Sequence, residues 1–336
     1  MDAAKKIAEA VLYEGYLLWP YRRSSRKNQQ RWTFGGVYPR EYSVARGEDD
    51  PWIMQTQCLA RGDEKTTIKV IVRFLHVVER KVAIKTDKGL QPVDELWVGE
   101  ELYLSWDEAV ERELAVGKFG LSELLGTSQQ VQVDIAAGGT EEPLAEPTGE
   151  GVGALVRSWR PLRGAVTVGA DLLQDGAYRV TVRITNTTPW GGEDRESTLR
   201  QTFVSTHTAL EVEGGEFVSL MDPPEELVEA AEGCENLKTW PVLVGEEGEL
   251  STMLSSPIIL YDYPQIAPES PGDLFDGTEI DQMLILNVLN LTDEEKEEMR
   301  ASDPRGREIL ERCESLSPEE LMRLNGTFRD IRMLRG

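Results

Sequence analysis

Apolar and polar positions change period several times along the chain, and each period predicts a different element. Ala4, Ile7, Ala8, Val11 and Leu12 recur at helical spacing, with Lys5, Lys6 and Glu9 largely off the stripe, which predicts an N-terminal helix ended by Gly15 and Pro20. WTFGGVYP, from Trp32, predicts a short strand that breaks at Gly35-Gly36. EDDPWIMQTQCLARGDEKTTIKVIVRFLHVV, from Glu48, predicts two strands joined at Gly62-Asp63. In the second of these, Ile68, Val70, Val72 and Phe74 form an apolar face, and Lys69, Ile71, Arg73 and Leu75 a mixed one. Val93 to Trp106 predicts more strand, and WDEAVERELAV a helix opened by the acids Asp107 and Glu108.

These elements make residues 1–137 an α+β domain. Residues 138–153, GGTEEPLAEPTGEGVG, hold five glycines, two prolines and four glutamates with little to bury, so they read as a linker. From 154 to 262 the pattern is almost all β. Tyr178, Val180, Val182 and Ile184 alternate with Arg179, Thr181, Arg183 and Thr185, a turn is expected at Asp175-Gly176, and a second strand pair is expected about Gly214-Gly215. This spacing predicts an antiparallel β-sandwich of immunoglobulin-like type, without the Cys…Trp…Cys hallmark of antibody domains. Residues 263–336 then predict a loop and short helices, with capping boxes at Thr292/Glu295 and Ser317/Glu320 and a stop at Asn325-Gly326. The expected fold class is α+β.

Charge narrows the partners. Sixty acidic against 36 basic residues give a formal charge of −24, a field that repels nucleic-acid backbones and anionic lipid over most of the chain. Residues 1–46 run the other way: nine Lys/Arg and four Asp/Glu make this segment +5, leaving −29 for the remainder. No apolar run approaches the roughly 18 residues that a membrane helix needs, and Glu9 and Glu14 interrupt the one N-terminal stretch that could imitate a signal sequence. A cytoplasmic protein with no membrane span is expected. Cys58, Cys234 and Cys313 are scattered without CxxC or zinc-type spacing, which suits a reducing compartment and buried, inert thiols.

Candidate chemistry is sparse. The two histidines, His76 and His207, lie in predicted strands and outside any nucleophile-elbow or metal signature. Nucleotide, zinc and calcium motifs are missing, so no cofactor is expected. The best carboxylate cluster spans residues 262–281, with Asp262, Glu269, Asp273, Asp276 and Glu279 as possible oxygen ligands for a hard cation or as an acid/base pair. The same residues also read as an ordered proline loop leading to a capped helix N-terminus. Within the stretch 12–40, Arg22, Arg23, Arg26 and Arg31 stand among Trp19, Tyr21 and Trp32. Such a cluster fits single-stranded nucleic acid, an acidic or mixed protein partner, or this chain's own acidic face.

Three stretches carry a family likeness: LYEGYLLWPYRRSSRKNQQRWTFGGVYP, VRSWRPLRGAVTVGADLLQDGAYRVTVRITNTT followed by FVSTHTAL, and YPQIAPESPGDLFDGTEIDQMLILNVL. Together they resemble an accessory protein family encoded beside actinobacterial-type, high-affinity uptake [NiFe]-hydrogenases. The resemblance implies a setting in cytoplasmic hydrogen oxidation and a structural or maturation subunit of the hydrogenase as partner. It implies no catalytic residue. Three scattered cysteines cannot supply the paired CxxC ligands of a nickel–iron subunit or the cluster ligands of its small subunit, so the resemblance implies an accessory role.

Overall fold

One strand organises the molecule. In the structure, a computed structural model, the described residues are 34–47, 49–173, 176–264, 291–302 and 304–315, with the helical positions 4, 5, 7, 8, 12 and 288. Strand β1, Ile53–Thr86, is 34 residues long. At about 3.3 Å per residue it is several times the usual strand length, so each edge of it serves several partners in turn. Along one edge lie β10 (Ala177–Asn186), β5 (Trp106–Gly120) and β2 (Gly89–Val93); along the other lie β11 (Val204–Val218) and β8 (Gly151–Trp159), all antiparallel. The sheet extends through β9 (Leu162–Leu172) and β6 (Gln129–Ile135) beyond β10, and through β13 (Thr252–Ser256) and β12 (Trp240–Leu243) beyond β11. Strand β7 (Gly138–Ala145) adds to β8, while β3 (Glu95–Val98) and β4 (Glu101–Leu104) pair separately.

The turn expected at Gly62-Asp63 is a register shift between Gly62 and Thr67. Asp63 N donates to Thr66 Oγ1 and Lys65 N to Asp63 Oδ1, both at 2.8 Å, and Thr66 Oγ1 donates to the Gly214 carbonyl at 2.8 Å. The local turn chemistry is real, but β11 continues on both sides of it and holds β1 in one sheet. A side chain at Gly215 would collide with the Arg61 carbonyl, so the close backbone approach requires glycine there. Gly214-Gly215, expected to reverse the chain, therefore lies within β11. The hairpin expected near Asp175-Gly176 does form between β9 and β10, with residues 174–175 outside the described residues.

Two further expectations are corrected. WDEAVERELAV is strand β5: its acids meet basic partners across the pleat, with Glu108 on Arg80 at 2.7 Å and Glu111 on Arg73 at 3.1 Å, an arrangement a helix cannot give. Residues 138–153, expected as a linker, form β7 and the start of β8, and β8 is paired to Glu79–Ile84 of β1. Strands from both sides of the expected boundary therefore share β1. The described fold is mostly antiparallel β-sheet with few helices.

Helices cover the outer faces. Ile68, Val70, Val72 and Phe74 enter the main core with Val166, Val180, Phe203 and Leu210, whereas Leu75 and Val77 on the opposite face pack with Met299, Ile309 and Leu310. Burial on both faces is why this strand reads as a nearly unbroken apolar run. The short helices are α1 (Arg40–Arg46), α2 (Arg195–Leu199), α3 (Val228–Glu232), α4 (Asp293–Ser302) and α5 (Pro304–Glu314). The capping box that opens α4 is formed: Thr292 N donates to Glu295 Oε2 at 2.9 Å and Glu295 N to Thr292 Oγ1 at 3.2 Å. The second box, at Ser317/Glu320, and the stop at Asn325-Gly326 lie outside the described residues.

Arg80 ties sheet to helix. It donates to the Leu104 carbonyl from two nitrogens, to Glu108 at 2.7 Å, and to the Ala301 carbonyl at 2.7 Å near the end of α4, where a cation also complements the helix dipole. Glu108 takes Arg157 on its other oxygen at 2.7 Å, so one buried carboxylate holds two guanidiniums. Truncating Glu108→Ala takes the buried carboxylate from Arg80 and leaves Arg157 on Glu142, and should lower stability by about 3 kcal/mol, read as a reduced denaturation midpoint with unchanged denaturant dependence. A loss below about 1 kcal/mol would show that the triad is not the tie described.

Candidate functional site

The residues expected to bind a partner, Trp19, Tyr21, Arg22, Arg23, Arg26, Arg31 and Trp32, lie outside the described residues. Both ends of their stretch are described. Leu12, Val37 and Tyr38 are core. Tyr38 stacks on Tyr42 with ring centroids 5.4 Å apart, and its hydroxyl accepts from Arg195 Nη2 at 2.7 Å. Aromatic residues therefore do structural duty at the C-terminal end of the stretch, while Phe34 is 45% exposed.

Asp262 is the described member of the carboxylate cluster; Glu269, Asp273, Asp276 and Glu279 lie outside the described residues. Asp262 accepts Leu243 N at 2.8 Å and the hydroxyl of Ser219, so both of its oxygens stitch the chain after β13 to the sheet. Among the described residues, no group of three or more His, Cys, Asp or Glu side chains gathers at ligating distance. No described helix is long and apolar enough to cross a membrane.

The histidines are sealed within the sheet. His207 sits beside a bulge of β11 where Ser205 adopts φ +51°, and its Nδ1 lies 2.8 Å from the Ser205 carbonyl. That contact places the proton on Nδ1 and leaves Nε2, 3.3 Å from Ser256 Oγ, to accept from the hydroxyl. A serine hydroxyl held on a carbonyl-oriented imidazole is the start of a nucleophile arrangement. Here Ser256 and His207 are 0% and 1% exposed and line none of the described cavities, so no substrate reaches them. Thr56 and Thr239 hydroxyls converge on the neighbouring Ser255 at 2.7 and 2.8 Å, which makes this a buried polar seam between strands. His76 is fully buried, and among the described residues neither ring nitrogen has a hydrogen-bond partner; the Arg160 backbone approaches without meeting hydrogen-bond geometry.

Three open concavities lie among the described residues. One of about 250 Å³ lies between the sheet and α4–α5, and its arginines and glutamates include the Arg80–Glu108–Arg157 triad. A second, about 330 Å³, is edged by Thr127, Ser128, Thr167 and Arg183, and Arg183 is held by Gln55 Oε1 at 2.6 and 2.9 Å. The largest, about 500 Å³, is an apolar groove between α1, the entry to β1 and the loop before β12. Its lining is Ser43, Val44, Gly47, Pro51, Trp52, Ile53, Asn236, Leu237 and Lys238.

The groove walls are held in place by β1. Leu237 exchanges backbone hydrogen bonds with Gln55 at 2.9 and 3.3 Å. The Asn236 side chain imitates one more ladder position, accepting from Gln57 N at 2.8 Å and donating to Gln57 O at 3.1 Å. The Gln55 and Gln57 side chains fix Glu235 at its carbonyl and amide. Across the groove, Tyr42 anchors α1 by donating to Asp50 at 3.0 Å; burial and that carboxylate push its hydroxyl pKa up to about 12. Compared with protein-family profiles and with curated proteins, the chain matches none.

Burial holds both imidazoles neutral and lowers their pKa from 6.5 to about 4, with Arg112 near His76 and Arg73 near His207 acting in the same direction. The unfolded chain takes up these protons first as pH falls, so the stability they protect is complete above about 6.5 and lost progressively down to 4. Each site corresponds to about 3 kcal/mol over that window. Urea midpoints measured from pH 7 to 5 should therefore fall steeply, and His76→Leu should remove about half of the slope. A flat profile over this range would contradict neutral burial.

Proposed function

We propose that the chain is a non-catalytic accessory protein working through protein contacts, with a cytoplasmic [NiFe]-hydrogenase as its setting. The setting rests on the three stretches of sequence resemblance. The contact reading rests on one observation: His76, His207, Ser256 and Cys58 are buried, whereas the largest described concavity is apolar and open. A general acid or base must come within hydrogen-bond reach of its substrate, while a protein partner is recognised by desolvated apolar and aromatic groups. In this reading Trp19, Tyr21 and Trp32 are anchors and Arg22, Arg23, Arg26 and Arg31 steer association. An immunoglobulin-like arrangement for 154–262 fits the same role as a scaffold and argues for no activity of its own. The enzyme alternative on Asp262, Glu269, Asp273, Asp276 and Glu279 is weakened because Asp262 is engaged in holding β12.

The test is affinity purification of the tagged full chain from cells that express the hydrogenase gene cluster. A hydrogenase structural or maturation subunit should co-purify near stoichiometrically. Charge reversal of Arg22, Arg23 and Arg26 should slow its association about tenfold at low salt and much less at high salt. Recovery of the chain without any hydrogenase component enriched over a tag-only control would refute this setting.

A further inference from the structure

The groove beside β1 has features that its structural role does not require. Lys238 adopts φ +59°, a left-handed conformation that a lysine takes at a cost, and the clamp of Gln55, Gln57 and Asn236 sustains it. The consequence is an exposed ammonium at the edge of an apolar trough. Arg40 opens α1 with its guanidinium 4.8 Å from the centroid of the Trp52 ring, and Arg46 precedes Gly47 at the other end of the helix.

The chain has 24 more acids than bases, yet Arg40 and Lys238 form no ion pair among the described residues, whereas Arg46 acts electrostatically on Asp194. Among the described residues of the lining, none is acidic. Glu41 and Asp50, on the same segment, are engaged elsewhere: Glu41 accepts from Trp190 N, and Asp50 is held by Tyr42 and Arg195. Meanwhile Val44 is 74% and Leu237 46% exposed on the groove's two walls. An apolar floor with Lys238 in its wall and Arg40 over Trp52 matches a segment that carries apolar side chains flanked by carboxylates.

We propose that this groove docks an acidic, apolar peptide segment of another protein, with Trp52, Ile53 and Leu237 receiving its apolar side chains and Arg40 and Lys238 its carboxylates. This deepens the contact reading above by stating the partner's chemistry and a second place where it is held. The walls are fixed by hydrogen bonds to β1 before any partner arrives, which limits the ordering cost of binding.

The probe is a set of fluorescein-labelled peptides of Leu and Phe interspersed with Glu, titrated with the full chain and read by anisotropy. Two control sets replace Glu by Lys or Leu/Phe by Ser. The acidic apolar set should bind saturably, more weakly as salt rises, and neither control should. Lys238→Glu and Arg40→Glu should each weaken binding about tenfold. Lys238→Gly separates function from folding: it should raise thermal stability by relieving the left-handed lysine and still weaken binding.

A benzophenone side chain in place of Val44 identifies the occupant directly. Cross-linking to the peptide supports the proposal. Cross-linking into the same chain, or into a second copy, assigns the groove to that occupant and overturns it, as does absence of saturable peptide binding. Binding by the Lys-containing set equal to that of the Glu-containing set would also overturn the charge assignment. Peptide binding without hydrogenase co-purification would leave the groove standing and remove only the hydrogenase setting.

Discussion

Satisfying the two edges of β1 is the constraint on which the described fold depends. A strand of 34 residues exposes a long row of amides and carbonyls on each side, and each must be paired or solvated. Five strands divide that work, and the divisions fall where the chain bends or shifts register: at Gly62–Thr67, and between Arg73 and Leu75 opposite β11. The bulge at Ser205 that orients His207 arises at the second of these. The loop 235–238 occupies a stretch of edge near Gln55 and Gln57 with one backbone bridge and one asparagine side chain. Both the sealed polar seam and the open groove are thus by-products of how one strand's edges are completed.

The same strand explains which parts of the fold could be read in advance. Period-two alternation in Tyr178–Thr185 identifies β10 because one face is core and the other is not. Capping chemistry at Thr292 identifies the start of α4 because the partners are three residues apart. WDEAVERELAV misleads because its charges are answered by Arg73, Arg80 and Arg200, between roughly 25 and 95 positions away in sequence, and acid-rich segments resemble helix N-termini until those partners are known. Glycine and proline at 138–153 suggest a linker because composition does not reveal that Arg157 supplies a cross-strand partner for Glu142 at 2.7 Å.

The groove illustrates a harder limit. Its walls come from residues 43–47, 51–53 and 236–238, and no motif spans that separation. ENLK looks like an ordinary polar loop; nothing in its spelling predicts that Asn236 will pair with a strand backbone or that Lys238 will be left-handed. By contrast the aromatic and basic run at 12–40 is conspicuous in sequence because its residues are adjacent, and at its described end Tyr38 serves the core. Local density of interesting side chains is a guide to where to look, and tertiary pairing decides which of them face outward.

Electrostatics links these features. On a chain of charge −24, an arginine or lysine at the surface has carboxylates within easy reach, and the described ion pairs show most such residues taking them. Arg73 and Arg80 go further and are buried with their partners, a placement that is costly without compensation. Against that background an unpaired cation is informative in proportion to the acid surplus around it. Arg40 is kept over Trp52 and Lys238 is kept in a conformation of higher energy, so both are held at the groove while the carboxylates of Asp50 and Glu41 are held elsewhere by Arg195 and by the Trp190 amide. The field of the remaining chain repels an anionic partner in general, and this local reversal confines such a partner to one face.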